Sequence, residues 1–335
     1  MKVAVFSAKR FERRILEDAN REQSHELVFF EMVLDEQTTS LAVGFPAVSA
    51  SINDNLNRTV LAELSKHETR VVLMRSAGFN NVDIDAAEEC GLTVLRVPAY
   101  PPHAVAEHTV GLIISLSRKL HRAFSRVREE NFSLEGLMGF DLHRRTVGIV
   151  GTGKIGTLVA RIMDGFGCRV LAHDPVVNPA CLELGAQYVT LPQLARESDI
   201  ITLHCPLTPD TYYLIDGAFL KLLKPGAALI NTSRGALLDP GAIIHALKTG
   251  RLGHLGIDVY EEEADHFFRY LSPAILQDDV IARLLTFPNV VITAHQGFFT
   301  REAVTGIAVT TIQNITDFAH GTVGDQNRLG TKHFQ

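Results

Sequence analysis

A chain of 335 residues, 46% hydrophobic and 21% charged, has the composition of a globular protein and is long enough that two domains are expected. A net charge of −6 gives no electrostatic pull toward nucleic acid or an anionic membrane, so neither is expected as a partner. Cys90, Cys168, Cys181 and Cys205 stand far apart with no CxxC pair, which excludes a disulfide framework and a cysteine-based metal site and fits a reducing cytoplasm.

The chain opens on KVAVF (2–6), an apolar run too short for a signal sequence and read as a strand. Strand-like runs follow at 26–32, 70–75 and 92–97. A long helical segment over about 102–128 comes next. Its apolar centre, VGLIISL (110–116), is too short to span a bilayer. The segment carries more apolar surface than one covered face needs, which suits either a core helix or the interface of a homodimer or higher homo-oligomer. Six more strand-like runs lie at 146–151, 168–173, 199–205, 227–232, 254–259 and 289–295, with helical stretches at 154–165, 216–223 and 239–249 between them. The last helix, about 300–318, has no predicted strand after it and is expected to return to the first unit. Alternation of this kind implies doubly wound parallel sheets covered by helices. Runs nearly continuous in Val, Ile and Leu fit strands buried on both faces. Ten strands are too many for one sheet, and the 102–128 segment divides them into two sets.

TVGIVGTGKIG places Gly151, Gly153 and Gly156 in a G-x-G-x-x-G pattern between a strand and a helix. In that setting the first glycine makes the turn, the second lets a pyrophosphate approach the backbone, and the third lets helix and strand pack closely. The pyrophosphate would lie at the helix N-terminus, by Lys154 and Ile155. The next strand ends at Asp174, eighteen residues after Gly156. An acid there accepts from the ribose hydroxyls and repels a 2′-phosphate, which favours NAD over NADP.

Four later strand ends collect polar residues: His204 and Cys205; Thr232, Ser233 and Arg234; Asp258 and a glutamate of the run Glu261–Glu263; and His295. Each has a plain structural reading, as a surface charge for Arg234, a helix cap for Asp258, and one of fourteen histidines for His295. Taken together, Arg, Glu and His at one crevice suit the reduction of a 2-oxo acid. A guanidinium holds the carboxylate. An imidazolium donates the proton, and a carboxylate keeps that imidazolium charged.

The order Gly151-x-Gly153-x-x-Gly156, Arg234, Glu263, His295 resembles the D-specific 2-hydroxyacid dehydrogenase family over essentially the whole chain. RSAGFNNVD (75–83), VPAYPPHAVAEHTVGLI (97–113), NTSRGALLD (231–239) and DVYEEEADHFF (258–268) resemble its fermentative D-lactate branch in particular. The resemblance implies two Rossmann-like/flavodoxin-like doubly wound parallel-sheet domains with a cleft between them. Residues 100–296 would bind NAD, and 1–99 with 297–335 would form a discontinuous substrate domain. It also implies a small 2-oxo acid or 2-hydroxy acid as substrate, a homo-oligomer, His295 as acid/base, and Arg234 as the group that binds and polarises the substrate. The family's spacing from Arg to Glu selects Glu263, which leaves Glu261 and Glu262 as solvated residues. Ser76, Ala77 and Gly78 match the loop whose N–H groups receive the substrate carboxylate. Tyr100 matches a pocket residue of the lactate branch, or is a packed aromatic at the domain junction; Phe298 and Phe299 either wall the methyl end of the substrate or belong to the interdomain core. Thr232, Cys205, Pro206 and Asp258 match positions near the cofactor, several acting through backbone atoms.

Pyruvate is the expected substrate. Related readings are a larger 2-oxo acid such as 2-oxoisocaproate or phenylpyruvate, and glyoxylate or hydroxypyruvate. Formate dehydrogenases of this family carry Gln at the position of Glu263. Transcriptional corepressors on the same fold keep the same triad; the short tail after the last helix weighs against that reading.

Overall fold

The computed structural model describes residues 1–98, 101–261 and 276–330. The chain divides into two compact units, Met1–Pro101 with Phe299–Gln335, and Pro102–Phe298.

In the first unit β1 (Lys2–Val5), α1 (Arg10–Ala19), β2 (Glu26–Phe29), β3 (Ala47–Ala50), α2 (Arg58–Lys66), β4 (Val71–Met74), α3 (Ile84–Glu89) and β5 (Thr93–Arg96) follow one another. The second unit runs through α4 (His103–Ser117), α5 (Leu120–Arg128), β6 (Thr146–Val150), α6 (Lys154–Gly165), β7 (Arg169–His173), α7 (Pro179–Glu183) and β8 (Gln187–Tyr188). It continues with α8 (Leu191–Glu197), β9 (Ile200–Leu203), α9 (Gly217–Leu222), β10 (Ala227–Asn231), α10 (Pro240–Lys248), β11 (Leu252–Ile257), α11 (Asp279–Leu285) and β12 (Val290–Ile292). The chain then returns to the first unit with α12 (Arg301–His320) and β13 (Arg328–Leu329).

Both sheets are doubly wound, as the alternation of elements predicts. The first has the order β13-β5-β4-β3-β1-β2 and is parallel except for β13, which pairs antiparallel with β5. Its strand order reverses between β1 and β3. The second has the order β12-β11-β10-β9-β6-β7-β8, is parallel throughout, and reverses between β6 and β9. In such sheets ligands bind beyond the carboxyl ends of the strands at the reversal. Strands β3, β4, β6, β9 and β10 are buried at every position, as expected of strands covered on both faces.

Local chemistry fixes many helix starts. The side chains of Asn57, Asp83, Thr190, Asp216, Asp239 and Thr300 each accept from a backbone N–H of the helix that follows. On α12, Ala308, Ile312 and Ile315 pack with Val3, Val5, Leu73 and Leu95 of the first sheet. Among the described residues, no helix is long and apolar enough to cross a membrane.

The structure departs from the sequence reading in three places. The 102–128 segment is two helices, broken where Lys119 adopts a left-handed conformation at φ 52°. The cause lies downstream: Phe140 N–H donates to the Ser117 carbonyl at 3.0 Å, and Gly139 sits so close to that oxygen that a Cβ would collide with it. A continuing helix would have used the same carbonyl. Three strands, β3, β8 and β13, have no counterpart in the predicted set, and β13 corrects the expectation that nothing follows the last helix. Finally, α4 contributes Ala106, Val110, Leu112, Ile113 and Leu116 to the core, whereas α5 buries no residue. The exposed apolar surface of this region is on Leu120, Phe124 and Val127, continued by Phe132, Leu134 and Met138.

Candidate active site

The glycine loop joins β6 to α6, with Gly153 at the N-cap position of the helix. Gly151 has φ +93°, and a Cβ there would lie 2.5 Å from the Cys205 nitrogen. A Cβ on Gly156 would collide with the Gly151 carbonyl oxygen. Both glycines therefore have a reason inside the protein. Gly153 has none, because a Cβ on it would meet nothing within 4 Å. A requirement for glycine at 153 must come from something that approaches from outside, which fits a pyrophosphate laid against the first turn at Lys154 and Ile155.

Asp174 follows β7 and ties the loop down. Its Oδ2 accepts from Thr152 N–H at 2.7 Å and its Oδ1 from Val176 N–H at 2.9 Å. Thr152 is held further by the Tyr188 hydroxyl on its Oγ1 (2.8 Å) and the Asn178 side-chain amide on its carbonyl (2.7 Å). The residues of this loop fit a dinucleotide.

The end of β9 faces the glycine loop across the reversal of strand order. His204 Nε2 lies 2.9 Å from Thr202 Oγ1. Burial pushes the His204 pKa down to about 3, so this ring is neutral near pH 7 and cannot serve as a proton donor there. Burial also pushes the Cys205 thiol up to about 11, as expected of a packed thiol and not of a nucleophile. Its carbonyl accepts from Ser233 Oγ at 2.7 Å, linking the ends of β9 and β10. Pro206 is exposed, and its carbonyl accepts from Thr211 Oγ1 at 2.7 Å.

Adjacent strands β10, β11 and β12 deliver Arg234, Asp258 and His295 in turn. After β10, the buried Asn231 side chain folds the chain on itself by accepting from Ser233 N–H (3.0 Å) and donating to the Arg234 carbonyl (2.8 Å). Arg234 Nη1 donates to the Ser233 carbonyl at 2.7 Å, and the side chain is half-buried. Thr232 Oγ1 lies 2.8 Å from Thr109 Oγ1 of α4.

Asp258, 2% exposed, is the hub of the next turn. Its Oδ1 accepts from Thr293 Oγ1 (2.5 Å) and Gln296 N–H (2.9 Å), and its Oδ2 from Gly297 N–H (2.8 Å). His108 Nε2 of α4 lies 3.2 Å from Oδ1. Burial alone would raise the Asp258 pKa. The bonds from His108 and Thr293, the His108 charge and the Gly297 amide outweigh burial and hold the carboxyl below its ordinary value. Its carbonyl accepts the His295 N–H at 2.7 Å, and His295 stands in the left-handed region at φ 51°. A non-glycine residue there is uncommon and persists when its surroundings enforce it. Gly297 completes the turn, since a Cβ on it would lie 2.8 Å from Asp258 Oδ2. The His295 ring meets the Phe298 ring edge-on at 6.4 Å.

The remaining predicted residues separate. Phe298 belongs to the second unit and Phe299 to the first, where it packs edge-on against Phe11 at 4.6 Å. Ser76, Ala77 and Gly78 form the turn after β4: Ser76 Oγ donates to the Gly78 carbonyl at 2.6 Å. Tyr100, Glu262 and Glu263 lie outside the described residues. Glu261, expected to be merely solvated, is exposed but accepts from the hydroxyls of Tyr212 (3.3 Å) and Tyr213 (2.9 Å), whose rings stack at 4.1 Å. A Cβ on Gly235 would collide with the Tyr260–Glu261 peptide, so the loop after Arg234 backs directly onto this segment. Sequence reasoning did not find His108, Thr293, Gly297 or the tyrosine pair. The motif AHQG (294–297) carried a trace of the turn; the others had no signal.

Comparison with known proteins places this geometry. The family model described as D-isomer specific 2-hydroxyacid dehydrogenase, NAD binding domain, matches residues 110–297. The chain is 50% identical over 321 residues to D-lactate dehydrogenase of Escherichia coli K12, covering 96% of this chain and 98% of that protein. The apo structure of D-lactate dehydrogenase from Escherichia coli superposes with a TM-score of 0.91 at 48% identity, covering 98% of this chain and all of that one. A pyruvate reductase structure from Chlamydomonas reinhardtii gives 0.92 at 40% identity over 96% of this chain and 97% of that one.

Proposed function

The chain belongs to the D-isomer specific 2-hydroxyacid dehydrogenase family, and from that premise we propose that it reduces pyruvate to D-lactate, with NADH and a proton consumed and NAD⁺ released. It is an NAD-dependent oxidoreductase. The observation that carries the finer reading is the delivery of Arg234, Asp258 and His295 by three adjacent strand ends of the sheet that also bears the glycine loop. The identities of the relatives support lactate as product.

The Gly151–Gly156 loop and Asp174 would hold NADH, which when bound would supply the hydride for the carbonyl carbon of the substrate. Arg234 holds the substrate carboxylate with a planar donor pair and draws charge toward the carbonyl oxygen. In the first unit, the N–H groups of the Ser76–Gly78 turn are suited to receive a substrate carboxylate. His295 gives its ring proton to the carbonyl oxygen as charge builds there. Glu263 is the carboxylate proposed to pair with that ring. Asp258 acts through the backbone, since its carboxylate is spent on Thr293, Gln296, Gly297 and His108 and its carbonyl on His295. Phe298, beside the His295 ring, walls the methyl end of the substrate, and Thr232, Cys205 and Pro206 line the cofactor. The exposed apolar stretch from Leu120 to Met138 is the surface through which two copies of the chain would associate.

The deciding assay is NADH and NADPH oxidation with a panel of 2-oxo acids: pyruvate, 2-oxoisocaproate, phenylpyruvate, glyoxylate and hydroxypyruvate. The highest kcat/KM is expected for pyruvate with NADH and the product is expected to be the D isomer. No turnover of any 2-oxo acid would favour a non-catalytic NAD-sensing role instead.

Two substitutions test the parts. Gly153→Ala should weaken NADH by about ten-fold or more and leave the thermal midpoint within about 2 °C, because its cost falls on the ligand. Gly156→Ala should lower that midpoint, because its cost falls on the fold. Equal effects at the two positions would refute the separation. Glu263→Gln should shift the pH at which the reduction rate falls away to a lower value, and an unmoved profile would contradict its pairing with His295.

A further inference from the structure

We propose that Arg96 is a positioning residue for the substrate-carboxylate loop, turning the Ala77–Gly78 peptide so that two successive N–H groups face the same side. The proposal rests on the reading above that the Ser76–Gly78 turn receives the carboxylate.

A trans peptide is planar, and its C=O and N–H point in opposite directions. The Ser76 carbonyl accepts from Val97 N–H at 3.2 Å, so it points toward the end of β5. The Ala77 N–H, at the other end of that peptide, therefore points away from β5. The Ala77 carbonyl accepts from Arg96 Nη1 at 3.3 Å, so the Gly78 N–H is turned away from that guanidinium. Among the described residues, neither N–H finds an acceptor. Backbone donors in a protein are nearly always paired, and a run of them aimed one way forms a concavity for an anion. The Val97 donor is main chain. Arg96 is the side chain that sets the second peptide.

Among the described residues, Arg96 is also uncompensated. Its guanidinium lies over the Phe79 ring at 5.2 Å, it makes no ion pair among the described residues, and its buried Nε has no hydrogen-bond partner. Burial lowers its pKa, as expected of a half-buried cation without a counter-ion. Neighbouring Arg75 is different: it is spent on the Phe6 carbonyl at 2.8 Å, Ser49 Oγ at 3.1 Å and Glu12 at 3.4 Å. The loop thus sits between a compensated cation that ties strand ends together and one, without an ion pair among the described residues, that aims the peptide and adds positive potential beside it. A lysine could supply the charge. It could not stack flat on Phe79 while presenting a second nitrogen to the carbonyl.

The test is steady-state kinetics and NADH titration on the wild type, Arg96→Met and Arg96→Lys. For Arg96→Met, the pyruvate KM should rise about 10- to 100-fold, with kcat within about three-fold and the NADH Kd unchanged. Inhibition by oxamate, a pyruvate isostere with the same carboxylate, should weaken by the same factor. Arg96→Lys should fall between Arg96→Met and wild type. A pyruvate KM at the wild-type value, or a rise matched by the NADH Kd, overturns the assignment. Should Arg96→Met fail to fold, Arg96→Lys decides alone, and a wild-type KM in it overturns the assignment equally. If the wild type itself shows no saturable pyruvate reduction, the proposed function falls and this inference with it. If wild type saturates and the variants match it, only this inference falls.

Discussion

The His295→Asn protein is expected to lose about 10²- to 10⁴-fold in kcat/KM for pyruvate while binding NADH as tightly as wild type. Asparagine is the informative replacement because the backbone at 295 is left-handed, at φ 51°, and Asn tolerates that conformation better than most residues. Its amide cannot deliver a proton, so the loss reports chemistry and not a collapsed turn. Two other histidines near these strand ends cannot take over. His204 is neutral, with its pKa pushed down to about 3 by burial, and His108 is engaged with Asp258 and Thr293. A loss smaller than about ten-fold would mean the proton comes from elsewhere. The NADH Kd, read by quenching of nicotinamide fluorescence, guards against a general defect.

Arg234→Ala should cost about 10²- to 10³-fold in kcat/KM, in line with the 2–5 kcal/mol lost when one side of a desolvated charge pair is removed. Both constants should move. KM rises because the carboxylate loses its clamp, and kcat falls because the carbonyl loses polarisation in the transition state. Arg234→Lys should recover only part of this, since an ammonium cannot present two parallel donors. The fold should survive either change, because the Asn231 side chain shapes the turn through the Arg234 main chain and not its guanidinium. Activity within a few-fold of wild type for Arg234→Ala would remove it from the site.

What the sequence made legible was chemistry with a local cause. Gly151, Gly156 and Asp174 answer to demands within one strand-turn-helix-strand segment, and periodicity alone separates such segments. β3 was not legible. Its Ala-Val-Ser-Ala is small and partly polar, yet it lies fully buried between β1 and β4, where sheet neighbours and not propensity decide. The break at Lys119 was hidden for a related reason, because its cause sits at Gly139 and Phe140. The surroundings of Asp258 come from α4, from β11 and from the turn after β12, and no spacing rule connects those three. Glu261 is exposed, as expected of a solvated carboxylate, but its tyrosine donors, almost fifty residues earlier in the chain, gave no signal in the sequence.

Asp174 has a consequence for anyone who would change the coenzyme. Removing its negative charge is the obvious first step toward accepting NADPH, and on charge grounds alone it should succeed. Yet each of its oxygens already holds a main-chain amide, one of them between two glycines of the phosphate loop. On the proposed reading of Asp174, discrimination against the extra phosphate and the shape of the loop would be encoded in one side chain. Selection for a new coenzyme at this position would have to proceed through substitutions such as Asn or Ser that keep an acceptor for Thr152, and an alanine would trade a change of specificity for a loosened grip on either coenzyme.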